Sequence, residues 1–111
     1  MTTFFATMTY ELTPETTPTA RKLFRAELVG RRWQDRSEGA LLPAGAVWAR
    51  RAAPESDTTS DVHAACGNDL EVAAAAVLRA GHVIGLRRAW VHVSGGGTYG
   101  LVALRSGPDP A

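Results

Sequence analysis

The 111-residue chain has one cysteine, Cys66, and no uninterrupted apolar segment long enough to cross a bilayer. A lone cysteine excludes an internal disulfide, which fits a protein of the reducing cytoplasm. The amino terminus also lacks the basic start and long apolar stretch that are typical of a secretory signal. These absences predict a cytoplasmic protein without a membrane segment.

An excess of charge of either sign is also missing, because 12 lysines and arginines face 11 acidic residues and the net charge is +1. The chain therefore has no overall field that attracts nucleic acid or anionic lipid. Hydrophobic residues, in contrast, make up 45% of the chain, which is typical of a folded domain. We expect a single domain over residues 1–106, followed by a flexible tail at 107–111.

Alternation of apolar and polar residues predicts the strands. Residues 3–12 alternate with aromatic and threonine content, which predicts a strand with one well-buried face. Further strands are predicted at 31–39, 46–52, 86–93 and 98–105.

Capping residues and helical spacing predict two helices. Thr17 and Pro18 mark the start of the first, which is expected to end at Val29 with Gly30 as its cap. Its predicted buried residues are Ala20, Leu23, Phe24 and Leu28. The second helix is expected to begin at Ser60 and Asp61 and to end at Gly81. Its predicted buried stripe is Val62, Cys66, Leu70, Ala73 and Val77.

The resulting order is strand, helix, strand, strand, helix, strand, with one added C-terminal strand. This order is typical of a ferredoxin-like α+β domain, a two-layer sandwich in which two helices cover one face of an antiparallel sheet. The other face of the sheet is then open. A half-apolar open face often carries a dimer interface, so we expect a homodimer.

Three glycines near the carboxyl end, Gly95, Gly97 and Gly100, match the spacing of nucleotide-binding loops. A dinucleotide site needs a helix after these glycines, and only eleven residues follow Gly100. A kinase-type loop needs a downstream lysine, and none follows. The segment Gly95–Gly97 is therefore interpreted as a hairpin turn, where glycine supplies positive φ angles.

The same hairpin register places Arg88, Trp90 and His92 on the open face of the sheet. An arginine, an indole and an imidazole in a row are suited to base stacking or to an ion pair. The alternative is that a second copy of the chain covers them. A second candidate binding surface is the basic cluster on and after the first helix, formed by Arg21, Lys22, Arg25, Arg31 and Arg32.

Two carboxylates suggest a catalytic alternative. Glu11 ends the first strand and Asp35 lies on a predicted neighbouring strand. A carboxylate at the end of the first strand, paired across a dimer axis, can hold Mg²⁺ for phosphodiester cleavage, so both residues are catalytic candidates. His92 is the candidate proton donor in that mechanism. On the second helix, His63, Cys66 and Asp69 share one face, where they could form a metal pair or a thiolate activated by imidazole. Two ligands do not make a site, and a cysteine in an apolar stripe is usually a small core residue.

The segment "TYEL" at residues 9–12, the helix after it and the following strand with a tryptophan resemble the small Cas2-like and VapD-like ferredoxin folds. These include CRISPR adaptation subunits and toxin or antitoxin ribonucleases. The resemblance implies that Glu11 takes the place of the aspartate that often follows a tyrosine at the end of the first strand. It covers roughly the first fifty residues.

The sequence as a whole favours a module that binds a partner without catalysis and without a cofactor or metal. The partner is a nucleic acid or a protein, bound at the open sheet face or the basic helix. The first alternative is a Mg²⁺-dependent nuclease or ribonuclease that uses Glu11. The second is a structural subunit of a larger assembly.

Overall fold

The computed structural model describes residues 2–94. Three predictions fall outside the described residues: the strand over 98–105, the turn at Gly95–Gly97 and the tail at 107–111. The seven elements in chain order are β1 (Thr2–Leu12), α1 (Pro18–Gly30), β2 (Arg36–Ser37), β3 (Ala40–Leu41), β4 (Ala46–Ala53), α2 (Thr59–Arg79) and β5 (Leu86–Ser94). The predicted α+β class is confirmed.

The main sheet has three strands among the described residues, and β1 lies at its centre. β4 pairs with one edge of β1 and β5 with the other, both antiparallel. Before β2, the backbone of Gln34 exchanges hydrogen bonds of 2.7 and 3.0 Å with the backbone of Trp48 in β4. The chain between α1 and β2 therefore runs along the outer edge of β4.

The predicted strand over 31–39 is wrong in its length. The structure has a short hairpin of β2 and β3, in which Ser37 pairs with Ala40. Its two turn residues, Glu38 and Gly39, both have positive φ, which is the conformation that tight hairpin turns require. The turn ends β2 after two residues, so this segment forms a separate small sheet instead of a full strand.

One hydrophobic core lies between the helices and one face of the main sheet. β1 contributes Phe4, Ala6 and Met8 to this core, as its period-two pattern predicts. Phe5 is also buried, on the opposite face of the strand. The predicted buried stripe of α2 is confirmed at all five positions. On α1, Ala20, Phe24 and Leu28 are buried as predicted. Leu23 is not, because it lies beside this i, i+4, i+8 stripe and is 36% exposed.

The helix termini differ in detail from the prediction. α1 begins after Thr17, whose hydroxyl accepts a hydrogen bond from the Ala20 N–H. Gly30 is the last residue of this helix and does not cap it; the left-handed conformation falls on Arg32, at φ 75°. α2 begins at Thr59, because Thr58 and Asp61 form a reciprocal capping box.

None of the helices in the described part of the chain combines the length and apolar character needed to cross a membrane.

The second face of the main sheet has no helix packed on it within residues 2–94. Cross-strand pairing places the odd-numbered residues of β1 there, together with their partners on β4 and β5. We call this surface the open face. Its residues are Thr3, Phe5, Thr7, Thr9, Glu11, Ala46, Trp48, Arg50, Ala52, Arg88, Trp90, His92 and Ser94.

Candidate functional site

Trp90 is the most exposed large apolar side chain among the described residues, at 65% of its full accessibility. It lies on β5 opposite Thr9, and His92 follows it on the same face opposite Thr7. The indole and imidazole rings are stacked, with centroids 6.0 Å apart and planes inclined by 22°. Two flat rings therefore stand side by side on the open face, as the sequence predicts for Trp90 and His92.

A second stacked pair lies at the other side of the open face. The rings of Phe5 and Trp48 have centroids 5.5 Å apart and planes inclined by 22°. The Trp48 indole is fixed, since its Nε1–H donates to the carbonyl oxygen of Arg36 at 2.9 Å. Sequence reasoning missed this pair. The signal was available, because alternation along β1 places Phe5 on the face opposite Phe4.

Glu11 ends the open face with two arginine partners. Arg88 Nε donates to Glu11 Oε1 at 2.6 Å, and Arg87 Nη1 lies 3.5 Å from Glu11 Oε2. The hydrogen bond from Arg88, with added attraction from both guanidinium groups, holds the pKa of the Glu11 carboxyl below its usual value. Glu11 is therefore a carboxylate at neutral pH and an acceptor for two cations.

A shallow cavity of about 380 Å³ joins the ion pair to the exposed indole. The residues that line it are Thr9, Tyr10, Glu11, Arg88, Ala89 and Trp90. The structure thus brings together Arg88 and Trp90 from the predicted binding row and Glu11 from the predicted catalytic set. His92 lines a separate shallow cavity with His63, at the edge between β5 and the start of α2.

Asp35 takes a different partner from Glu11. Its Oδ2 accepts from Arg25 Nε at 3.2 Å. Within residues 2–94, no group of three or more histidine, cysteine, aspartate or glutamate side chains is arranged to hold a metal ion. Glu11 and Asp35 thus contact different arginines, and a catalytic role for Glu11, Asp35 and His92 remains a prediction. If Glu11 is catalytic, the chain must cleave nucleic acid in the presence of Mg²⁺, and the substitution Glu11→Ala must abolish that cleavage.

The basic cluster of α1 divides into two kinds of residue. Arg21 donates to the backbone carbonyls of Thr13 and Thr16, and Arg25 donates to those of Asp35 and Leu42. These two arginines hold neighbouring turns against the helix. The three other cationic residues of the cluster, Lys22, Arg31 and Arg32, are exposed. The cluster is therefore only partly available to an external anion.

The three residues predicted to share one face of α2 have different environments in the structure. Cys66 is fully buried, and burial raises the pKa of its thiol. Asp69 accepts hydrogen bonds of 2.9 Å from both Trp33 Nε1 and Arg51 Nη1. His63 is exposed. Asp69 and Arg51 thus connect α2, β4 and the segment after α1, a structural role that sequence reasoning missed.

Comparison of the chain with models of protein families, with curated proteins and with solved structures finds no match.

Proposed function

We propose that the chain is a ferredoxin-like module that binds single-stranded nucleic acid on its open face without catalysis. The strand arrangement supports the fold. α1 connects β1 to the Gln34 segment, and β4 lies between these two. α2 connects β4 to β5, and β1 lies between those two. Two such split β-α-β units form the ferredoxin-like pattern.

The observation that carries the proposal is the exposed Trp90 ring beside Arg88 and stacked with His92. A base has an apolar face that stacks on an aromatic ring, and this stacking is worth about 1–3 kcal/mol per base. Stacking does not require a particular sequence, because every base has such a face. The site therefore suits unpaired nucleotides, whose bases are free to leave their own stack.

Charge on the open face also supports a polyanionic ligand. Arg88 lies on it and Arg87 reaches its end, whereas Glu11 is the only acidic residue in the set. Arginine pairs with phosphate through several N–H groups at once. The local excess of cations complements a phosphate backbone, although the net charge of the whole chain is only +1.

The threonines between the two stacked pairs favour nucleic acid over a second copy of the chain as occupant of this face. Thr7 and Thr9 separate the Phe5–Trp48 pair from the Trp90–His92 pair, so the apolar surface is not continuous. The centre of a stable protein interface is usually more apolar. Homodimerisation through the open face stays a prediction. The Cas2-like and VapD-like resemblance likewise stays a prediction.

Replacing Trp90 with alanine is expected to weaken binding of a fluorescein-labelled single-stranded RNA or DNA by about five- to a hundredfold, because one stacking platform is lost. Trp90→Phe keeps a ring and is expected to retain most of the affinity. Leu78→Ala is the matched control, since Leu78 is also an exposed apolar residue but lies on α2. Fluorescence anisotropy at low and moderate salt measures all four proteins.

Wild-type chain that binds no oligonucleotide at low salt contradicts the proposal. Sedimentation supplies the second test. A wild-type dimer that Trp90→Ala converts to a monomer shows that a second copy covers the open face, and that result also overturns the proposal.

A further inference from the structure

Two arginines converge on one carboxylate at the end of the open face. Arg88 contacts one oxygen of Glu11 and Arg87 contacts the other, at 2.6 and 3.5 Å. One carboxylate thus lies between two guanidinium groups. Its single negative charge balances only one of the two positive charges, so the three side chains together carry a net charge of +1. This arrangement of two guanidinium groups suits a phosphate, which has more oxygen atoms and more negative charge than a carboxylate.

An irregularity in the strand pairing allows both arginines to reach the same side. Glu11 pairs with Arg88, but the next residue, Leu12, pairs with Leu86, so Arg87 has no partner on β1. Consecutive residues of a regular strand point to opposite faces. A β-bulge re-aims the extra side chain, and bulges are common beside functional sites. The bulge is the reason that Arg87 joins Arg88 at Glu11.

Exposure makes this ion pair exchangeable. The side chains of Arg87, Arg88 and Glu11 are 55%, 74% and 45% exposed. Two further ion pairs, Arg25–Asp35 and Arg51–Asp69, are far more enclosed and also bind backbone or indole groups. Exposed ion pairs add little to stability, so an incoming anion displaces the Glu11 carboxylate at small cost.

The position of the trio relative to Trp90 fits one stretch of nucleic acid. Arg88 and Trp90 are two residues apart on β5, so their Cα atoms are separated by about 7 Å on the same face. Both line the 380 Å³ cavity with Glu11. A single-stranded nucleic acid whose base stacks on the Trp90 indole therefore has a phosphate within reach of the Arg87 and Arg88 guanidinium groups.

We propose that Arg87 and Arg88 form a phosphate clamp and that Glu11 occupies it in the free chain, so that a nucleic-acid phosphate must displace the Glu11 carboxylate to bind. This inference rests on the proposed function and specifies how the open face recognises its ligand. Glu11 then acts as an internal competitor: it lowers the affinity of the site and prevents the clamp from capturing weaker anions.

Glu11→Gln removes the competing charge and keeps the size of the side chain. It is expected to tighten binding of the labelled single-stranded oligonucleotide by about three- to tenfold. Glu71→Gln on α2 is the matched control, because it changes the net charge equally at an exposed position away from the open face. This control is expected to change the affinity by less than about twofold.

Arg88→Met tests the clamp by removing one of its two guanidinium groups. It is expected to weaken binding and to make the slope of log K against log salt shallower by about 0.7, the value for one phosphate contact on a single strand. Circular dichroism confirms that each variant is folded. Inorganic pyrophosphate, added as a competitor, is expected to displace the oligonucleotide from Glu11→Gln at a lower concentration than from the wild type.

The outcomes separate this inference from the proposed function. If Trp90→Ala weakens binding but Glu11→Gln binds no more tightly than Glu71→Gln, the clamp is refuted and the stacking surface stands. If Glu11→Gln weakens binding or abolishes a Mg²⁺-dependent cleavage, Glu11 is a ligand and not a competitor, and the clamp is again refuted. Absence of any binding by the wild type refutes the proposed function itself.

Discussion

Replacing Gly45 with alanine is expected to lower the free energy of unfolding by about 2–4 kcal/mol. Gly45 has φ +85°, a conformation that costs a residue with a Cβ atom about 1–2 kcal/mol. An added Cβ would also lie 2.6 Å from the carbonyl oxygen of Tyr10. Because that neighbour is backbone in the central strand, it cannot rotate away. The substitution must therefore also disturb the 2.8 Å hydrogen bond from the Tyr10 N–H to the Gly45 oxygen.

Thermal unfolding followed by circular dichroism measures this effect, and a fall in Tm of at least about 8 °C is expected. Gly67→Ala is the control, since Gly67 lies inside α2 with nothing within 4 Å of an added Cβ. Alanine has the higher helix propensity, so this control is expected to gain about 0.5–1 kcal/mol. Equal and small effects at both positions would contradict the close approach of residue 45 to β1.

Replacing Asp69 with alanine is expected to cost about 2–3 kcal/mol of unfolding free energy. The Asp69 carboxylate accepts hydrogen bonds from Trp33 Nε1 and Arg51 Nη1, and the Arg51 guanidinium also lies 5.4 Å from the centre of the Trp33 ring. Alanine leaves a buried indole N–H and a partly buried cation without an acceptor. The cost is below that of a fully buried pair, because the Arg51 side chain is 24% exposed.

Urea unfolding of two further variants separates the lost hydrogen bond to Trp33 from the lost charge interaction with Arg51. Asp69→Asn keeps an acceptor for the Trp33 N–H but removes the charge that faces Arg51, so an intermediate loss is expected. Combining Asp69→Ala with Arg51→Met also removes the guanidinium that Asp69→Ala leaves without an acceptor. The double variant is therefore expected to lose less unfolding free energy than the sum of the two single losses. Strict additivity would show that Asp69 and Arg51 do not depend on each other.

The elements of the fold were predictable from local patterns. Alternation over 3–12 and 86–93 predicts β1 and β5, and the spacing of the apolar residues on α2 predicts its buried stripe, because burial on one face imposes the period of each element. The hairpin at Glu38 and Gly39 was not predictable in this way. Its turn depends on positive φ at a glutamate, which no simple residue preference indicates.

The candidate site was predicted in part. Register along β5 is sufficient to place Arg88, Trp90 and His92 on one face, and the structure has them there. Register does not reveal the bulge that brings Arg87 to Glu11, since a bulge has no marker in these residues. It also does not show that Arg25 rather than Glu11 is the partner of Asp35, because the two meet where the segment after α1 folds back beside the helix.

Sequence by itself determined the α+β class, the main strands and helices and the identity of the exposed aromatic row, because each follows from the periodicity of short segments. Tertiary structure alone decided which charged groups meet. Arg51 with Asp69, Arg25 with Asp35 and Arg87 with Glu11 each join residues of different structural elements or segments. An ion pair depends on the three-dimensional distance between two side chains, and no local pattern encodes that distance.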